Sequence, residues 1–324
     1  MKIKTVLVII VMLSPMSLYA EAERGSVSGS YKVEDSKKVY RNGRITLNIQ
    51  TGLANGEAHE LVYSGSDKIS ELTWDIKNVF MAGGNITAVL YRPWGLKFNA
   101  GISSMVKKQD SIMDDYDWFI INGPWTDWSH ENATLEKALT IDVSLSKSIL
   151  SDDSGSFNMD VELGFKRENW KWVSFGGTYI YSVFGFRDAT GTFPNVPGIS
   201  YEQTINTPFI GASASFRKAD FSLFLRVVGS PFVFTEAVDY HYSRGLVFTD
   251  TFSSGKMIGL DLSLAYHMSE NMSVNINYFY QQHYRNRGDT VTYNQATGAQ
   301  TYDPNNAGMS LTYQTIGIDM TYSF

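Results

Sequence analysis

Cysteine is absent from all 324 residues, so neither a disulfide nor a Cys-ligated metal centre is available to this chain. Histidine is scarce as well. The five present, His59, His130, His241, His267 and His283, show none of the close pairing that builds a helical zinc motif. No Gly-x-Ser-x-Gly elbow and no phosphate-binding glycine loop occurs. Past the first residues there is no apolar run long enough to cross a bilayer as a helix, because Asn, Asp, Ser or Lys interrupts every second or third position. Basic residues are also in deficit, 27 against 33 acidic ones, with no basic block. That balance argues against a nucleic-acid partner and suits a cationic one.

What is present begins with Met1-Lys2-Ile3-Lys4, an apolar stretch from Thr5 to about Met16, and Ser17-Leu18-Tyr19-Ala20. A basic start, a short apolar stretch and a small residue predict a secretory signal peptide over residues 1–20, with Ala22 as a second cleavage site. Residues 21–324 are then expected to form one domain.

Period-two alternation recurs through that domain. Leu96, Phe98, Ala100 and Ile102 alternate with polar or small residues, as do Leu139 to Leu145, Met159 to Phe165, Phe221 to Val227, Ile258 to Tyr266 and Met272 to Tyr280. These read as strands with one apolar and one polar face. Short turns (92–95, 151–156, 217–220, 269–271) alternate with long polar loops placed at about 110–135, 174–200, 237–250 and 284–308. The prediction is an all-β fold, a closed antiparallel transmembrane barrel of about ten strands with long extracellular loops. Ile316, Ile318, Met320, Tyr322 and Phe324 alternate to a terminal aromatic residue, the usual assembly signal of bacterial outer-membrane proteins. An aromatic share of 14% fits interfacial girdles, with Tyr278, Tyr280, Trp170 and Trp172 as candidates.

Two short segments carry chemistry. Asp115-Tyr116-Asp117 and Asp239-Tyr240-His241 are each spaced i, i+2, which puts both side chains on one face of an extended backbone. Both segments fall on the long-loop side of the barrel and are expected in loops there. Asp239 can orient the imidazole of His241, which then takes a proton from water, while coupling between Asp115 and Asp117 leaves one of them able to donate. On spacing alone, a solvated loop or a weak calcium site is the commoner reading of Asp-x-Asp.

These residues resemble the omptins, outer-membrane endopeptidases of Gram-negative bacteria that include plasminogen activators. The resemblance runs through Leu72-Thr73-Trp74, Asp115-Tyr116-Asp117-Trp118, Trp125-Thr126-Asp127, Gly176 to Ser182, Gly185-Phe186-Arg187-Asp188, Phe193-Pro194-Asn195 and Asp239-Tyr240-His241-Tyr242. It implies that Asp115, Asp117, Asp239 and His241 are catalytic, that no metal or cofactor is used, and that cleavage falls beside basic residues. Glu60 and Asp127 match acidic subsite residues. Ala237 stands where the family has an acid, and Glu236 beside it is the residue that could compensate. The resemblance further implies lipopolysaccharide as a lipid activator, with Lys166, Arg167 and Lys171 as its candidate contacts, although Thr204 replaces an expected Arg. A non-enzymatic ten-stranded adhesin or invasin is the alternative function.

Overall fold

Alternating sequences become paired strands wherever both backbone edges can find partners, and the described part of this chain does little else. The computed structural model describes residues 45–120, 123–152 and 154–324. The signal-peptide reading and both cleavage positions lie outside the described residues. Eleven antiparallel strands follow one another: β1 (Ile45–Ser64), β2 (Asp67–Tyr91), β3 (Leu96–Met105), β4 (Gln109–Asp117), β5 (Asp127–Ser151), β6 (Phe157–Tyr181), β7 (Ala189–Lys218), β8 (Phe221–His241), β9 (Leu246–His267), β10 (Met272–Asn294) and β11 (Gln300–Ser323). Apart from β3 with β4, each pairs with the strands next to it in the chain, and β1 joins both β2 and β11, so the sheet closes on itself. β3 and β4 are two pieces of one lane, since each lies between β2 and β5. Eleven segments therefore fill ten lanes, in keeping with the even strand number of bacterial barrels.

Sidedness settles which solvent surrounds the ring. Outward positions are apolar and exposed: Leu163 is 59% exposed, Ile276 62% and Ile318 60%. Inward positions at the same height are polar, including Asn48, Asn99, Ser144 and Asp319, which line an interior cavity of about 620 Å³. Asn99 donates to both Ser144 and Ser146 at 3.1 and 3.2 Å. Apolar out and polar in is the reverse of a water-soluble sandwich and matches a wall bathed in lipid.

The strands greatly exceed what a membrane needs. β5 and β6 have 25 residues each and β7 has 30, whereas ~9–11 residues of tilted strand cross the hydrocarbon. A 25-residue strand at ~3.4 Å per residue is roughly 85 Å long. The segments expected as long loops are mostly the upper halves of these strands. Among the described residues of these segments, only the tips at 118–120, 123–126, 182–188, 242–245 and 295–299 lie outside the strands. Gly176 and Gly177 allow a bulge on one extension. Their φ values are +57° and +111°, and a Cβ on Gly177 would stand 2.2 Å from the His130 carbonyl oxygen.

Trp170 and Trp172 are not girdle residues. Both are fully buried and point inward. Their rings join Trp74, Tyr201, Tyr313 and Phe279 in a continuous stack with centroid spacings of 5.0–6.4 Å. Beneath the stack, Glu168 accepts from Tyr313 Oη at 2.7 Å and Gln281 Nε2 at 2.5 Å and meets His283 Nε2 at 2.7 Å. Lys166 donates to Gln281 Oε1 at 2.6 Å. The reason is parity: residues 166, 168, 170 and 172 share one face of β6, and that face is the lumen.

The lipid-facing assignment predicts that Leu163→Arg lowers the unfolding free energy in bilayers by ~2–4 kcal/mol. Lumen-facing Ser213→Ala is expected to change it by under ~0.5 kcal/mol. Urea titration of the refolded chain in vesicles measures both, and equal effects would refute the sidedness.

Candidate active site

All four residues expected in loops lie on strands. Asp115 and Asp117 end β4, and Asp239 and His241 end β8, well above the apolar belt. Strand geometry keeps each i, i+2 pair on the inward face, as the spacing predicts, and the ladders fix their heights. Asp117 is level with Ser70 of β2 and with Asp127 of β5, while Asp239 is level with Tyr201 of β7 and Phe248 of β9. A strand end anchored on both sides positions a side chain more tightly than a free loop could.

His241 Nε2 lies 2.5 Å from Asp239 Oδ2, and the ring meets Phe248 edge-on at 5.2 Å. Arg244, from the tip between β8 and β9, donates to His241 Nδ1. A carboxylate only accepts and a guanidinium only donates, so the imidazole proton sits on Nε2 and the lone pair on Nδ1. Asp239 aligns the ring, and Arg244 covers the basic nitrogen.

Across the cleft, Ser70 Oγ donates to Asp115 Oδ1 at 3.2 Å. Burial raises the Asp115 carboxyl well above the usual range, and the charges of Asp117, Glu131 and Asp239 add to this. Asp117 is raised to about 6, chiefly by burial. The Ser70 hydroxyl opposes that shift, Asp127 adds to it, and the positive charges of Arg244 and His241 oppose it. Asp239 thus acts electrostatically on Asp115, and His241 on Asp117, so the two pairs face one cleft. Both carboxyls therefore hold a proton more firmly than an isolated Asp does, which lets the pair present a donor beside an acceptor.

The three expected subsite positions are all inward and buried. Glu60 of β1 is raised by burial and by the charges of Asp239, Asp250 and Asp115. Asp127 accepts from the backbone N–H of Ser182 at 2.9 Å. Ala237 is buried with Gln203 and Asp250 as its ladder partners. Glu236 does not compensate for it, being exposed on the opposite face of β8. Trp74, Trp172 and Tyr201 form the cleft floor.

Sequence reasoning missed Ser70, Glu131, Tyr181, Arg244 and Asp250. Glu131 shares the face of Asp127 and Ser129, and Ser129 Oγ donates to it at 3.2 Å, so parity along β5 could have found it. Burial and the nearby Asp115 and Glu131 charges push the Tyr181 phenol up. Asp250 required the register of β8 against β9.

Of the candidate lipid contacts, Lys166 is buried in the lumen and is excluded from the outer wall. Arg167 and Lys171 do face outward. Arg167 donates to Asn206 Oδ1 at 2.8 Å, Lys171 Nζ lies 3.6 Å from Glu136, and Thr204 accepts from Asn169 at 2.8 Å.

Comparison with known proteins follows the same outline. The family model described as "Omptin family" matches residues 41–324. A plasminogen activator of Yersinia pestis is 29% identical over 287 residues, covering 86% of this chain and 89% of that protein. Protease 7 of Escherichia coli K12 is 26% identical over 279 residues, covering 82% and 86%. The crystal structure of the outer membrane protease OmpT from Escherichia coli superposes with a TM-score of 0.83 at 25% identity, over 90% of this chain and 99% of that one.

The Asp117 carboxyl is expected to take up its proton near pH 6. Arg244→Ala removes a charge that favours the carboxylate and is expected to move that midpoint upward. Infrared difference titration against Asp117→Asn measures both, and an unmoved midpoint in the Arg244 variant would separate the two walls of the cleft.

Proposed function

This chain belongs to the omptin family of outer-membrane proteases, and from that premise we propose that it is an endopeptidase cleaving beside basic residues with a water activated by Asp and His side chains. The observation that carries this reading is the 2.5 Å Asp239–His241 couple, with His241 within electrostatic reach of Asp117 on the opposing wall. The cleft opens on the extracellular side of the outer membrane.

In this mechanism Arg244 swings off His241 Nδ1 as substrate enters, and a water hydrogen-bonded to Asp117 takes its place. Nδ1 removes a proton from the water while the oxygen attacks the peptide carbonyl carbon. Asp239 holds the Nε2 proton and stabilises the imidazolium. The protonated carboxyl of the Asp115–Asp117 pair donates to the developing oxyanion. Collapse breaks the C–N bond, and the imidazolium returns its proton to the leaving amine. Water, carbonyl and protein side chains account for every atom that moves.

Substrate charge follows from the lining. Glu60 lies within electrostatic reach of Asp239 and Asp115, and Asp127 is the ladder partner of Asp117, so an extended peptide meets an acidic side chain on either side of the scissile bond. Glu60 serves the residue before that bond and Asp127 the residue after it. Lipopolysaccharide is the proposed lipid activator, with Arg167 and Lys171 as outward cations able to meet its phosphates.

Two outcomes test the reading. With the chain refolded in lipopolysaccharide and given a quenched peptide containing Arg-Arg, the variants Asp117→Ala, Asp239→Ala and His241→Ala are each expected to lose ~10²–10⁴-fold in kcat/KM. Full activity in all three would remove the mechanism. Cleavage is also expected to persist in EDTA, and a loss that zinc restores would replace the Asp/His scheme with a metal-dependent one.

A further inference from the structure

Buried acceptors without donors are costly, and one side of this cleft collects three of them. Glu60 is 5% exposed and its Oε2 has no hydrogen-bond partner, and Gln203 Oε1 and Asp239 Oδ1 are likewise buried and unpartnered. The three converge around Tyr201, whose hydroxyl accepts from Gln203 Nε2 at 2.8 Å and is pushed up by burial and then by the charge of Glu60, with Asp250 and Asp239 adding to it. Gln203, Ala237 and Asp250 form one rung across β7, β8 and β9, and directly paired strand residues project to the same face. Ala237 thus presents only a methyl group between an amide and a carboxylate.

Asp250 is the one carboxylate of this group that neither the motifs nor the spacing pointed to. It is buried and accepts from Thr290 Oγ1 at 2.7 Å. Its carboxyl is raised to about 7 by burial, with the Thr290 bond opposing and the Asp239 charge adding. The leading charges acting on Glu60 are all carboxylates. A pocket rich in acceptors and like charges is complementary to a guest that brings only donors and a positive charge. A guanidinium, with five N–H donors in a planar fork and no acceptor, meets that description.

We propose that Asp250 is a specificity-determining residue that, together with Glu60 and Gln203, receives the guanidinium of an Arg immediately before the scissile bond. The carboxylate missing at position 237 is supplied from the neighbouring strand. This assignment rests on the endopeptidase reading for its placement beside the scissile bond, but the receptor itself can be measured without turnover. Entry of the cation ionises Asp250, so preference for the charged guest strengthens as pH rises through about 7 and weakens below it.

The test uses the full chain refolded with lipopolysaccharide and peptides that differ only in carrying Arg or its neutral isostere citrulline before the cleaved bond. Asp250→Asn is expected to lower the Arg-to-citrulline ratio of kcat/KM by about tenfold to a hundredfold. Adding Ala237→Asp to that variant is expected to restore most of the ratio. The wild-type ratio should fall as pH drops below 7, and that of Asp250→Asn should fall less, with Glu60 as the titrating carboxylate left in the receptor. Asp250→Thr serves the same purpose if the Asn variant does not refold. An unchanged ratio, or equal losses on both peptides, would overturn the proposal. If the wild-type chain cleaves neither peptide, the endopeptidase reading fails by itself. Fluorescence anisotropy of a labelled Arg peptide then decides the receptor: binding about tenfold weaker in Asp250→Asn upholds it, and equal binding overturns it.

Discussion

Hydrocarbon offers no hydrogen bonds, and this single fact governs the molecule. Every N–H and C=O at membrane depth must find a partner within the protein, so the sheet has to close. Here closure runs through β1, paired with β2 on one side and β11 on the other. Once the ring is shut, continuing the same ladders upward keeps the strand extensions ordered without lipid around them. The cleft therefore stands on a rigid stem, and its acidic side chains are held by registers that the membrane-spanning part already requires.

Rigidity alone does not give the cleft its electrostatic character. What does is the concentration of carboxylates on inward faces: Glu60, Asp115, Asp117, Asp127, Glu131, Asp239 and Asp250 from five strand lanes. Their mutual repulsion and burial raise several of them, which keeps neutral and ionised carboxyls available together near neutral pH. The basic side chains that act on this group, Arg244 and His241, come from one strand end and its tip. The cleft is left hungry for positive charge from outside.

Much of this was legible in the chain because the two faces of a membrane strand meet opposite solvents. Leu139 to Leu145 and Phe221 to Val227 announce themselves by contrast. Above the lipid both faces meet water, the contrast fades, and stretches such as 127–138 look like loops although they are strand. The i, i+2 spacing of Asp115/Asp117 and Asp239/His241 survived that loss, since it depends only on backbone pleat. Trp170 and Trp172 were misread because residue type was weighed before parity with Lys166 and Glu168. Parity also shows why Glu236 cannot stand in for Ala237. Asp250 was hidden for a different reason: its meaning lies in a partner on another strand, and only the turn at 242–245 fixes which residue that is.

The stack running from Trp74 to Phe279, with the Glu168 cluster under it, divides the interior into an upper basin and a lower chamber. Solutes entering from above meet these buried rings before the polar chamber below. A peptide lying in the basin therefore rests on indole and phenol faces, which grip apolar stems beneath whatever charge the acidic walls hold.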